Sequence, residues 1–173
     1  MGSVCRAIDT LSTVVGSVAA LIIIPLVLAT CWEVLARYIF GAPTIWAFEL
    51  GYMLMGLHFL LGGALTLLRQ QHVRIDLIYA RLPPRRRAII DLAGYALLVL
   101  PALVMICLRF WEHTSNAMTT GERTGQSAWN PEIWPFRAII LASFGLLALQ
   151  VVSESLKAIA VLRGAPLQPA EEG

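Results

Sequence analysis

Charge is scarce in this 173-residue chain: 14% of its residues are Asp, Glu, Lys or Arg, while 58% are hydrophobic. A soluble domain carries about a quarter charged residues, so an ordinary water-exposed globule is excluded. The net charge of +2 provides no basic surface of the kind nucleic acids require, and no nucleic-acid partner is expected. Cysteine is sparse too. Cys5, Cys31 and Cys107 have neither metal-ligand spacing nor the pattern of a disulfide framework. Cys31 and Cys107 would fall near the same end of their helices, so a bridge stands as an alternative to two unrelated thiols. Missing as well are a Ser-His-Asp arrangement, a phosphate-cradling glycine loop and histidines paired at matching depth, so neither catalysis nor a cofactor or metal is expected. No internal repeat is present, which argues against an inverted-repeat transporter working through this chain alone.

The apolar residues are instead gathered into four blocks, each close to the roughly 20 residues that cross a bilayer's hydrocarbon core. The expectation is an all-α membrane protein with four transmembrane helices. Residues 1–163 would form a single four-helix domain with spans near 11–38, 46–68, 88–108 and 136–157, and 164–173 a disordered cytoplasmic tail. Leu11 to Trp32 carries no charge. Although Leu28-Ala29-Thr30-Cys31 resembles a lipid-attachment box, the apolar run is longer than a signal core and Thr30 is not the small residue expected before that cysteine. An uncleaved helix is expected, continuing through Glu33 and Arg37, which are spaced for an i,i+4 pair. Pro25 lacks a backbone donor and should kink it.

Gly41-Ala42-Pro43-Thr44 reads as a turn with Thr44 as N-cap, giving a tight hairpin that sets Arg37 and Glu49 at similar depth. On the second helix Gly51, Met55, His58 and Gly62 share one face, and Glu49, Gly56 and Gly63 line the opposite one. Small residues admit close helix approach, so this helix should pack on both sides and form the centre of the bundle. Ala138, Ala142 and Gly145 supply a comparable face on the fourth. Between helices 2 and 3, residues 72–82 suggest a short amphipathic interfacial segment, with an extended piece as the alternative. Residues 109–134 read as one long polar loop.

Arginine placement sets the orientation. With both termini inside, Arg6, Arg69, Arg74, Arg81, Arg85, Arg86, Arg87, Lys157 and Arg163 are cytoplasmic, against Arg37, Arg109, Arg123 and Arg137 outside. Trp32, Trp46, Trp111, Trp129 and Trp134 then fall at the outer interface as an aromatic belt.

Several pieces together resemble the small membrane subunit of tripartite ATP-independent periplasmic (TRAP) transporters, the DctQ-like family. They are Arg37-Tyr38-x-Phe40, Trp46-x-x-Glu49, His72-x-Arg74-x-Asp76 before a Leu-Pro and basic cluster, Gly121-Glu122, Trp134-Pro135-Phe136-Arg137 and Leu149-Gln150. The resemblance covers roughly residues 10–160; the Ala128–Pro131 stretch is idiosyncratic. It implies a non-enzymatic, multi-pass subunit in the inner membrane of a bacterium. Its partners would be a separate large elevator-type membrane subunit, which holds solute and sodium ions, and a periplasmic binding protein delivering small organic acids for symport. The small subunit would brace the first and help dock the second.

Arg37, Tyr38, Trp46, Glu49, His72, Arg74 and Asp76 are candidate anchors to the large subunit or to lipids, and Glu122 and Arg123 are candidates for binding-protein docking. A carboxylate at the helix centre costs about 2.5–3.5 kcal/mol on insertion scales. Glu49 therefore either pairs, with Arg37 or with the large subunit, or sits at a wet interface while Arg37 pairs with Glu33. His58, mid-span, is expected to be a hydrogen-bonding packing residue. His72 and Asp76 could bond at i,i+4, and Asp91 lies four residues after Arg87, suited to a local ion pair. Two other functions compete with the transporter subunit: a membrane anchor of a redox complex, and a small proton-coupled exporter using Glu49.

Overall fold

The computed structural model describes residues 2–71 and 83–163, and four long helices hold most of them. They are α1 (Gly2–Tyr38), α2 (Ala47–Leu68), α3 (Arg85–Thr120) and α4 (Trp134–Leu162), each long and apolar enough to cross a membrane. The described residues contain no strand beyond an isolated bridge between Arg123 and Glu132. The amphipathic segment expected at 72–82 lies outside the described residues. Gly2 and Arg163 fall at one end of the bundle, the termini end, and the connections 39–46 and 121–133 at the other, the loop end.

The two interior prolines interrupt their helices in different ways. Pro25 has no N–H for the Leu21 carbonyl, and α1 divides at Ile22 into Gly2–Leu21 and Ile23–Tyr38. There the Ile22 N–H takes the Ala19 carbonyl at 3.1 Å, a tighter turn than α. Ahead of Pro101 the chain widens instead. Tyr95–Val99 is a π-helical turn, closed where the Leu100 N–H reaches back to the Tyr95 carbonyl.

Residues 109–120, expected in a loop, are the last turns of α3. Their side chains are polar but compatible with a helix, Arg109 and Glu112 pair at 3.1 Å, and Gly121 ends the helix in the left-handed conformation (φ 63°). Charge marks where a helix leaves hydrocarbon, not where it stops.

The hub of the bundle is α4, not α2. Among the described residues α4 packs against all three other helices, α2 packs against α1 and α4, and α3 packs chiefly on α4. Rings mark two of these seams: Tyr52 meets Phe136 at 6.3 Å between centroids, and Phe110 meets Phe144 at 5.7 Å. The small residues expected to form a packing face on α4 are not its buried face: Ala138 and Gly145 are half-buried, Ala142 is exposed, and Gly145 has open space where a Cβ would project. The buried face is Ser143, Leu146, Gln150, Val151, Ser153 and Glu154. Cys5, Cys31 and Cys107 are free thiols.

The largest fully buried side chains are Gln150, Glu49, Val151, Ser12 and Ser153, while Phe59 and Leu97 stand 80% and 76% exposed. This interior of small, apolar and polar side chains within an apolar exterior departs from the soluble arrangement. It suits lipid, where apolar faces gain little by meeting each other and small or hydrogen-bonding residues hold helices together. Among the described glycines the tightest surroundings are at Gly16 of α1, where an added Cβ would lie 2.5 Å from the Leu65 Cβ of α2. Gly16→Ala should therefore lower stability by about 1–3 kcal/mol in detergent unfolding. Gly62→Ala and Gly63→Ala, with nothing within 4 Å of the new methyl, should be neutral in the same assay.

Candidate functional site

Polar side chains collect at the two ends of the bundle. At the termini end α4 presents Gln150, Ser153, Glu154 and Lys157 along one helical stripe, and α1 answers with Asp9 and Ser12, three residues apart. Ser12 Oγ donates to Gln150 Oε1 at 2.7 Å. Gln150 Nε2 donates to Asp9 Oδ1 at 3.0 Å and to Glu154 Oε1 at 3.1 Å, and Ser153 Oγ donates to Asp9 Oδ1 at 3.1 Å. The Lys157 ammonium bridges the two carboxylates, 2.8 Å from Asp9 Oδ2 and 2.7 Å from Glu154 Oε1.

The fourth carboxylate oxygen of this network, Glu154 Oε2, accepts from Gln70 Nε2 at 3.0 Å, which ties in the end of α2. Gln70 holds the left-handed backbone (φ 55°) where glycine is usual. That conformation costs a residue with a Cβ about 1–2 kcal/mol. A hydrogen bond to a charged group returns about 1.5–3 kcal/mol, enough to offset it. All four carboxylate oxygens and both polar atoms of the Gln150 amide are thus engaged. This is a cross-helix clamp with its hydrogen bonding complete.

Near mid-span His58 Nδ1 lies 2.8 Å from the Ala19 carbonyl oxygen, at the break in α1. His58 is the hydrogen-bonding packing residue its position suggested.

At the loop end the hairpin is locked by Glu33. Its Oε1 accepts from Arg37 (Nε at 3.0 Å, a second nitrogen at 2.5 Å), and its Oε2 accepts from the Thr44 N–H at 2.9 Å and from the Thr44 hydroxyl. Thr44 Oγ1 in turn accepts the Ala47 N–H at 3.3 Å as α2 begins. Of the readings left open for Arg37, the structure takes Glu33. Glu49 is neither paired with Arg37 nor at a wet surface. It is fully buried in the chain, its Oε2 accepts from the Ser127 hydroxyl, and its Oε1 has no partner among the described residues.

The connection 121–133 is ordered by its own charges. Arg137 grips Glu122 through two bonds, at 2.6 and 2.8 Å, and reaches the His113 carbonyl at 3.3 Å. Arg123 donates to the Asn130 carbonyl at 3.0 Å, and Trp134 Nε1 donates to Glu132 at 2.9 Å. Glu122 is thus paired within the chain, while Arg123 is exposed and bonds a neutral carbonyl. Tyr38, the last residue of α1, is 79% exposed, and Trp46, just before α2, is half-buried. His72, Arg74 and Asp76 lie outside the described residues.

The sequence reading missed Asp9, Ser12, Gln70, Ser153, Glu154 and Lys157 as one unit, and missed Ser127 as the partner of Glu49. A signal for the first was present: the i, i+3, i+4, i+7 spacing of polar residues at 150, 153, 154 and 157 continues an apolar helix. Nothing local points from Glu49 to Ser127.

Compared with known families, residues 26–161 match the family model described as "Tripartite ATP-independent periplasmic transporters, DctQ component". No curated protein matches the chain.

Two predictions follow from the geometry. Lys157→Met leaves two carboxylates without their cation. Breaking a buried pair costs about 3–5 kcal/mol, and the partial exposure here (33% for Lys157, 24% for Asp9) reduces that to about 2 kcal/mol, measurable as a lower unfolding midpoint in detergent. At the loop end, the Arg137 hydrogen bonds hold the Glu122 carboxyl below its ordinary pKa, helped by the charges of Arg137 and His113. A carboxyl depressed on closure favours the closed loop above the ordinary carboxylate range, and that contribution is lost as pH falls through the lowered value. Amide exchange in 121–133 should therefore quicken at acid pH, corrected for intrinsic rates, and Glu122→Gln should abolish the pH dependence.

Proposed function

The chain belongs to the DctQ family, the small membrane subunits of TRAP transporters, and from that premise we propose that it braces a separate large elevator-type subunit and helps dock a periplasmic solute-binding protein during sodium-coupled symport of small organic acids. It is a transport component rather than an enzyme. The observation that carries the bracing role is where the polar groups go. The clamp at the termini end and the contacts of Glu33, Glu49 and Arg137 at the loop end are spent joining helices and connections to one another. Glu49 and Gln70 bound α2, which separates the two clusters by roughly 30 Å. An inward-facing set of such bonds suits a rigid body that supports a moving neighbour.

The reading continues at the surface. The excess of arginines at the termini end supports a cytoplasmic placement there, in a bacterial inner membrane, with the loop end facing the periplasm. The large subunit is gripped through Arg37, Tyr38 and Trp46 at the hairpin, with the buried Glu49 acting behind them rather than in direct contact, and through His72, Arg74 and Asp76. Lipid head groups meet the termini end at Arg85 and Arg86, which are exposed. The connection 121–133, with Glu122 and Arg123 at its base, meets the binding protein.

The test is co-expression with the large membrane protein and binding protein of the same transport system. The chain should co-purify with the large subunit in mild detergent, and solute uptake into proteoliposomes should require both chains. Uptake by the large subunit alone at the full rate would overturn the bracing role; uptake by this chain alone would replace it with a transporter in its own right.

A further inference from the structure

The ion pair of the 121–133 connection, Glu122 with Arg137, lies at its base, and its tip is built without charge. There Gly125, Gln126, Ala128 and Trp129 are exposed and uncharged, with Trp129 41% accessible. The tip is closed on one side by Asn130, whose Oδ1 accepts the Gly125 N–H at 2.8 Å. On the other side it is closed from within the bundle. Ser127 has a single hydroxyl proton and gives it to Glu49 Oε2. That fixes the hydroxyl, and a lone pair of the same oxygen accepts the Trp129 N–H at 3.2 Å. A fully buried carboxylate in the first turn of α2, where the helix dipole favours negative charge, thereby reaches the backbone of an exposed tryptophan through one intervening atom.

We propose that Glu49 is a positioning residue for the loop end: through Ser127 it fixes the 125–130 tip, and with it the direction in which Trp129 is presented to a soluble protein docking there. The occupant is the solute-binding protein, so the inference rests on the docking role proposed above and moves its centre from Glu122 and Arg123 to Trp129. Tryptophan is the side chain most often found at the energetic centre of a protein interface. An anchor held rigid beforehand loses less conformational entropy on binding. Only Glu49 Oε2 is used in this contact; Oε1 is buried within the chain and has no partner among the described residues, so positioning of the tip and support of the hairpin can be separated by experiment.

The separating variant is Ser127→Ala, which removes the link and leaves Glu49 intact. In the assembled two-subunit membrane complex, Ser127→Ala and Trp129→Ala should each weaken binding-protein association by about ten-fold. The double variant should be no weaker than Trp129→Ala alone, because both act through one contact. Co-purification of the large subunit should not change. Amide exchange at 125–130 should accelerate in Ser127→Ala and Glu49→Ala but stay near wild type in Glu49→Gln, which keeps an oxygen for Ser127 to bond. If Trp129→Ala weakens docking while Ser127→Ala alters neither docking nor exchange, the positioning role is wrong and the docking role survives. If Trp129→Ala leaves docking untouched, the tip is not the contact and the proposal falls. Loss of the large subunit in Ser127→Ala would assign the contact to assembly and overturn it equally.

Discussion

The amide of Gln150 joins α1 to α4, and the bundle depends on its being satisfied. In water, burying apolar faces would drive these helices together. In lipid that driving force is largely absent, because hydrocarbon is as good a neighbour as leucine. What remains is close contact between small residues and hydrogen bonds too costly to leave unmade. Gln150 makes three such bonds, to Ser12, Asp9 and Glu154, and none of its polar atoms is free. Replacing those partners one at a time would expose an amide or a carboxylate to hydrocarbon, so the network specifies one arrangement of α1 and α4 rather than merely favouring association. The strained Gln70 extends the same logic to α2, where the hydrogen bond to Glu154 sustains a backbone conformation the residue would not choose alone.

The two ends are built on different rules. At the termini end long-range contacts join the beginning of the chain to its end, so the clamp closes only after α4 is made. At the loop end Ser127 reaches back to Glu49, but two further locks join segments near in sequence: Glu33 to Thr44, Glu122 to Arg137. Such contacts form early and cost little loop-closure entropy. A subunit that braces a moving partner needs both, a stable body and well-defined connections at its exposed end. The apolar exterior, with residues such as Phe59 turned outward, is what a bundle long and apolar enough to cross a membrane is expected to present.

Much of this architecture was legible in the residues. The four apolar blocks fixed the number of helices, Pro25 announced the break in α1, and Glu33, Arg37 and Thr44 each signalled a local role that the hairpin combines. The hub was not legible. Ala138, Ala142 and Gly145 permit close approach, but permission does not say which face is used, and α4 turns a polar face inward instead. The reach of α3 through Thr120 was hidden because solubility and helicity are separate properties, and the stretch from Arg109 onward has both. The partner of Glu49 could not be read because Ser127 lies in a connection whose path is set by Glu122, Arg137 and Asn130 together. Spacing rules describe neighbours on one helix; they are silent about a hydroxyl delivered from a distant turn.

The π turn at Tyr95–Val99 leaves a mark beyond relieving Pro101. Five residues per hydrogen-bonded step in place of four inserts one residue into the winding, and one residue is about 100° of azimuth. The stripe that α3 turns toward α4 in its Pro84–Gly94 portion therefore does not continue straight into Leu100–Thr120; the helix is wound out of phase with itself. Its arginine-bearing foot and its tryptophan-bearing head are aimed by separate clocks, so that a substitution restoring regular winding would swivel one against the other without altering a single side chain at either end.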